Sequence, residues 1–163
     1  MLTLHTKIAA SERIDGELVL AYDQREKCRQ RARLVSGEEI ALFTVRGTVL
    51  RDGDLLTGEG GFVARVRAAA EPVYTVRAVD ARGLLRCAFH LGNRHSQVQV
   101  GAGFLRIRPD PVLRDMLAGL GATVEDETAP FEPESGAYAG AHAHSHPLAP
   151  VPLRQRIHRP GEA

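Results

Sequence analysis

Five of the chain's seven histidines fall in two places where an imidazole could hold a metal ion. His90 and His95 bracket the string His90-Leu91-Gly92-Asn93-Arg94-His95, and His142, His144 and His146 alternate near the end, with His158 beyond them. A spacing of five sets His90 and His95 about 140° apart around a helix, whereas chelating pairs sit at i, i+3 or i, i+4. On a helical wheel started at Leu84, the residues Leu85, Cys87, Ala88, Phe89 and Leu91 share one broad apolar arc, and His90 falls with the polar group. His95 returns to the apolar arc if the helix continues through Gly92. It is then either a satisfied structural histidine or half of a site completed from elsewhere. Cys87 and His90 have a chelate spacing but lie on different arcs, so Cys87 reads as a small buried residue.

The second group needs no helix. In an extended chain, side chains at i, i+2 and i+4 project to one side, so His142, His144 and His146 form a row that can wrap a divalent ion, and His158 adds an imidazole. Imidazole suits nickel, copper and zinc. One histidine in a tail rich in Ala, Gly and Pro would read as chance; three at alternating positions favour metal binding. Segment 139–163 has too few large apolar residues to offset the entropy of ordering it, and is expected to be disordered without metal.

The elements that must position His95 can be read in part. Residues 1–71 look like short strands and turns: Leu18 to Tyr22, Arg29 to Val35, Ile40 to Val45 and Phe62 to Val66 are aliphatic or alternating runs. Arg51-Asp52-Gly53-Asp54 and Gly58-Glu59-Gly60-Gly61 are turn signals. These predict a small all-β barrel or two-sheet module. Glu71-Pro72 marks a boundary, and residues 72–138 follow another pattern. Val73 to Val79 is a strand; Asp80 caps a helix carrying Cys87 and His90; Val98 to Ile107 is a hairpin about Gly101-Ala102-Gly103. A second helix starts with Asp110 as N-cap and Pro111 at its first position, presents Val112, Leu113, Met116, Leu117 and Leu120, and ends at Gly121. Ala122 to Glu125 supplies a last strand. The order β-α-β-β-α-β is ferredoxin-like, so the fold class is α+β.

Composition excludes several functions. A net charge of +1 supplies no basic field for nucleic acid or a membrane surface. Two distant cysteines, Cys28 and Cys87, form neither a disulfide framework nor a zinc ribbon. No apolar run approaches a membrane span or a signal peptide, so a cytoplasmic protein is expected. Gly58-Glu59-Gly60-Gly61 lacks the Lys-Ser/Thr of a phosphate-binding loop, and no catalytic triad or carboxylate pair stands out. No enzyme is indicated.

Two strings are specific: His90-Leu91-Gly92-Asn93-Arg94-His95, and Ala129-Pro130-Phe131-Glu132-Pro133-Glu134-Ser135-Gly136-Ala137-Tyr138. With Asp110 to Leu117 between them and the histidine tail after them, they resemble the urease accessory protein UreE family, firmly over the second half of the chain. The resemblance implies a homodimeric nickel chaperone in which His95 from two subunits binds one Ni²⁺ at a two-fold interface; by softness the same imidazoles also suit Zn²⁺ or Cu²⁺. It also implies partnership with the urease accessory GTPase and the apo-urease activation complex, and a partner-binding role for the N-terminal module. His90 is expected on the helix surface or behind a ligand. Some members carry extra histidines where this chain reads Arg108-Pro109-Asp110-Pro111, so no peripheral site is expected there. The rival of another class is a metal-independent two-module adaptor with incidental histidines. A zinc hydrolase ranks third, because catalysis wants three firm ligands and an open position.

Overall fold

A computed structural model of the chain describes residues 1–136. The histidine tail, with its expected disorder and its ligands His142, His144, His146 and His158, lies outside the described residues.

The first part is built from β1 (Leu2–Ile8), β2 (Gly16–Leu20), the single-turn helix α1 (Tyr22–Arg25), β3 (Arg29–Arg33), β4 (Glu39–Phe43), β5 (Leu55–Gly58) and β6 (Val63–Ala68). The strands form one sheet in the order β2-β6-β5-β1-β4-β3, with β1/β4 and β2/β6 parallel and the other pairs antiparallel. The sheet curls until its two ends meet: the Val35 N–H, just past β3, donates to the Glu17 carbonyl of β2 at 2.9 Å. Leu4, Leu18, Ile40, Leu42, Leu50 and Leu56 fill the interior with no exposure. This is the expected barrel-like module.

Two of its strands escape the sequence reading. In β1 the alternation begins with Leu2 and Leu4 and breaks at a register shift between Leu4 and Thr6. A bulge of this kind moves later side chains off the period of two on which strand recognition depends. β5 has four residues and runs directly into the Glu59–Gly61 turn, which hides it. Gly58 sits where β5 meets β1, and a Cβ there would run into the Thr3 carbonyl.

The second part has β7 (Ala70–Arg77), α2 (Ala81–Gly92), β8 (Gln99–Gly101), β9 (Phe104–Ile107), α3 (Pro111–Gly119) and β10 (Thr123–Pro130). The sheet order β10-β7-β9-β8, all antiparallel, is the ferredoxin-like arrangement. Glu71 and Pro72 lie inside β7, and the chain passes between the sheets at Ala69. Both helix starts form as the sequence indicates. Asp80 accepts from the Gly83 N–H at 2.7 Å, and Asp110 accepts from Val112 and Leu113 at 2.8 and 3.0 Å. Tyr74, Val76, Cys87, Leu91, Leu105, Ile107 and Leu117 make the core between helices and sheet.

The two parts are fastened at α1 and at the chain leaving β10. Phe131 is fully buried with Tyr22 and Val73, its ring meeting Tyr22 edge-on at 5.5 Å. Arg25, fully buried, donates to the carbonyls of Leu20 and Leu50 at 3.2 Å, to the Phe131 carbonyl and to the Glu132 carboxylate. A buried guanidinium is tolerable only with its donors satisfied and its charge paired, and these acceptors do both.

Candidate metal centre

The element that carries His95 is not the one the helical wheel assumes. α2 ends at Gly92, and the next three residues turn back over its C-terminus. The Arg94 N–H donates to the Leu91 carbonyl at 3.1 Å, that of His95 to Gly92 at 2.9 Å, and that of Ser96 to Leu91 at 3.3 Å. These bonds occupy the helix's last carbonyls, which have no partner within the helix. His95 pays for the turn with a φ of 54°, and it is the only described non-glycine residue with positive φ. Histidine is among the residues that adopt this region most readily. The imidazole therefore stands exposed at the tip of a hydrogen-bonded turn rather than on the helix's apolar arc.

That arc is itself two surfaces. Cys87 and Leu91 are buried and Leu84 and Ala88 pack partly against the core, but Leu85 is 70% and Phe89 65% exposed. Val79 and Val100 are exposed as well. Leu85 and Val100 line, with Val79, Leu84 and Leu105, an apolar hollow of about 480 Å³. A groove of about 380 Å³ continues from it, sharing Ala88 and Val100, and is lined by His95, Ser96, Gln97, Glu134 and Gly136 among others. His95 thus lies at the end of an exposed apolar trough.

The neighbouring chemistry narrows the ligand set. Burial pushes the Cys87 thiol up from its ordinary value, so it stays a protonated core residue and takes no part with His90. His90 is half-buried, its ring edge-on to Phe89 at 5.4 Å, and its carbonyl accepts from Arg94 at 3.2 Å. Arg108 is spent on the junction: it pairs with Asp23 and lies over the Tyr22 ring at 5.4 Å. Among the described residues, no three His, Cys, Asp or Glu side chains converge on a point that could hold a metal ion. One copy of residues 1–136 offers His95 as a single imidazole and no complete site.

The comparisons with known proteins cover both halves. Residues 2–69 match the model described as UreE urease accessory protein, N-terminal domain, and residues 71–160 match the C-terminal domain of the same description. The chain belongs to the UreE family. It is 63% identical over 167 residues to the urease accessory protein UreE of Janthinobacterium sp. (strain Marseille), covering 99% of this chain and 98% of that one. The UreE of Nitrosospira multiformis is 52% identical over 172 residues, with 99% and 98% covered. That of Burkholderia pseudomallei (strain 1710b) is 54% identical over 153 residues, with 90% and 75% covered. The first half, where the sequence showed only β character, thus matches the family as well as the second.

Within this UreE chain the Ala129–Gly136 string has a structural use that sequence reasoning missed. Phe131 and Glu132 supply the buried contacts to α1, and the Glu134 N–H donates to the Val98 carbonyl at 2.8 Å beside the His95 groove. A signal existed, an apolar residue followed by an acid between two prolines, but nothing in it names Arg25 as the partner. No described helix is long and apolar enough to cross a membrane.

Proposed function

We propose that this chain is a homodimeric metal carrier, not an enzyme, that binds Ni²⁺ and delivers it to apo-urease during urease maturation in the cytoplasm. The observation that carries the reading is the pairing of one exposed imidazole with one exposed apolar trough. A two-fold axis through such a face brings identical residues together, so one His95 per chain becomes two ligands on one ion. The apolar surface of Val79, Leu85, Phe89 and Val100 supplies the driving force for association. The tail histidines His142, His144, His146 and His158 capture the ion or complete its coordination. Zn²⁺ and Cu²⁺ suit the same donors, and selectivity for nickel falls to supply and to the acceptor. The urease accessory GTPase and the apo-urease complex are the partners, with residues 1–71 offering a protein-binding module and residues 72–138 the metal-binding and dimerisation domain.

The exposed setting of His95 suits a carrier: a site that must release its cargo gains nothing from enclosure. Ligation needs neutral imidazole, so loading weakens in acid. The test is calorimetric titration of Ni²⁺ into the full chain and into His95→Asn, a residue that keeps the turn's backbone preference while removing the imidazole. One tight metal per dimer is expected in the parent and none in the variant, with weaker tail binding left in both. Tight binding that survives His95→Asn would sink the interface site, and an absence of metal binding altogether would favour the adaptor.

A further inference from the structure

Strand β3 sets three arginines in a row. Its residues Arg29, Gln30, Arg31, Ala32 and Arg33 alternate in exposure, and Ala32 packs against the interior of the curled sheet. Arg29, Arg31 and Arg33 therefore project outward on one side, at steps of about 7 Å per two residues. Across the antiparallel pairing with β4 they stand opposite Phe43, Ala41 and Glu39 in turn. Arg33 pairs with the Glu39 carboxylate at 2.9 Å. Arg29 lies over the exposed Phe43 ring at 5.9 Å, and Arg31 stands opposite Ala41, which offers it no charge. Among the described residues, neither Arg29 nor Arg31 has a carboxylate within 4.0 Å. The arginines on the strands of the other sheet are neutralised: Arg77 and Arg106 each pair with a carboxylate of β10. The row on β3, an end strand of its sheet, is left with uncompensated charge.

We propose that this row is a docking surface for an acidic, extended segment of a protein partner, with carboxylates at alternate residues. Such a segment advances about 7 Å per two residues, the same step as the row, so successive carboxylates meet Arg29 and Arg31. A guanidinium can hold a carboxylate through two parallel N–H donors, which fixes register as well as charge. Exposed ion pairs add little affinity and act mainly on the rate and orientation of encounter. That suits a transient hand-over rather than a permanent complex. Nucleic acid fits the face less well. The chain's net charge is +1, and two free arginines release too few counterions to hold a phosphate backbone. The inference rests on the proposed reading of residues 1–71 as a protein-binding module, and gives that module a surface and a partner chemistry.

The probes are a labelled peptide of alternating Glu and Thr, a peptide of the same composition with its glutamates consecutive, and a single-stranded DNA of equal length. Fluorescence anisotropy follows their binding to the full chain, to Arg29→Glu with Arg31→Glu, and to Arg82→Glu with Arg86→Glu. The last pair makes the same change of charge on exposed arginines of α2, and melting curves check that both variants fold. Charges on an edge strand also keep copies of a protein from pairing edge to edge. Glutamates do this as well as arginines, so the reversal tests recognition alone. The alternating peptide is expected to bind the parent best, to weaken with salt, and to lose about five-fold or more on reversal of the β3 pair. Reversal of the α2 pair is expected to cost less than about two-fold. Equal losses in the two variants overturn the inference, as does binding of the consecutive peptide or the DNA as tight as that of the alternating one, or no binding at all. The urease accessory GTPase, titrated into the parent, tests the underlying reading separately: if it fails to bind while the alternating peptide binds, the surface stands and that partner is withdrawn.

Discussion

The two sheets solve the same burial problem in different ways. The six-stranded sheet curls on itself, so its leucines face one another; Met1, Val19, Val35, Phe43 and Val45 are the large apolar side chains left exposed on this part. The four-stranded sheet stays open. Its helices cover the core, yet α2 still turns Leu85 and Phe89 outward, and Leu85 lines, with Val79 and Val100, the hollow that adjoins the His95 groove. Scattered apolar residues are ordinary on a protein surface, whereas apolar side chains grouped beside an exposed imidazole make a candidate site. The first part closes on itself and the second does not.

That contrast breaks most sharply under a charge. Leu85→Glu with Phe89→Glu should leave each chain folded, since both side chains are exposed, but convert the proposed dimer to a monomer and remove the proposed tight metal site. Val35→Glu with Val45→Glu, equally exposed on the other part, should change neither mass nor metal binding. Light scattering across a dilution series separates the outcomes. A charged α2 face that still dimerises would place the interface elsewhere and leave His95 without its second copy.

The two parts should also differ in how they absorb a methyl group. At Gly58 an added Cβ meets backbone, the Thr3 carbonyl of β1, so the strands must part. Gly58→Ala should cost on the order of 2–4 kcal/mol, visible as a lower midpoint in urea. At Gly101 the obstacle is the Phe104 ring, a side chain that can swing away, and Gly101→Ala should cost about 1–2 kcal/mol. Equal costs would mean that β1 and β5 are less firmly paired than their register implies.

How much of this the sequence carried depends on how local the cause is. The starts of α2 and α3 were legible because a cap and the N–H groups that donate to it are two or three residues apart, and the β8–β9 hairpin because Leu105 and Ile107 alternate with outward Phe104 and Arg106. β1 was not, because a bulge destroys the alternation by which a strand is recognised. At the candidate site, His95 could be singled out as a candidate ligand lacking a local partner. Its turn could not be placed, since the end of α2 at Gly92 depends on backbone bonds that an ideal wheel ignores. The wheel also merged Leu85 and Phe89 with Cys87 and Leu91; only the packing of the sheet against one side divides them. Arg25 was beyond reach, because its carboxylate partner lies 107 residues away.

The smallest expected effect concerns acid. In the four-stranded sheet, Glu127 accepts from the buried Thr75 hydroxyl at 2.8 Å and pairs with Arg106 at 3.2 Å. The Thr75 hydrogen bond first, and Arg106 after it, hold its carboxyl below the ordinary value of 4.5. In the six-stranded sheet Asp15 is lowered from 3.8 by Arg13 and by the Val63 N–H. A group whose pKa is lower in the folded chain binds fewer protons there than when unfolded. Its contribution is fully present above the unfolded pKa and is lost as pH falls through the folded one. The contributions of Glu127 and Asp15 should therefore change little between neutrality and pH ~5, and fall as pH drops through the ordinary carboxylate values of 4.5 and 3.8 and below. Glu127→Gln, which keeps an acceptor for Thr75 but cannot ionise, should lower the melting temperature slightly at neutral pH and flatten its decline in acid. Asp15→Asn should do the same through the other sheet. Melting curves for the parent and both variants, taken from neutral pH down past the carboxylate range, decide the matter. Parallel curves for Glu127→Gln and the parent would show that the Thr75–Glu127–Arg106 contact does not govern acid stability. An effect confined to Asp15→Asn would mean that the closed sheet, not the open one, sets the acid limit of the fold.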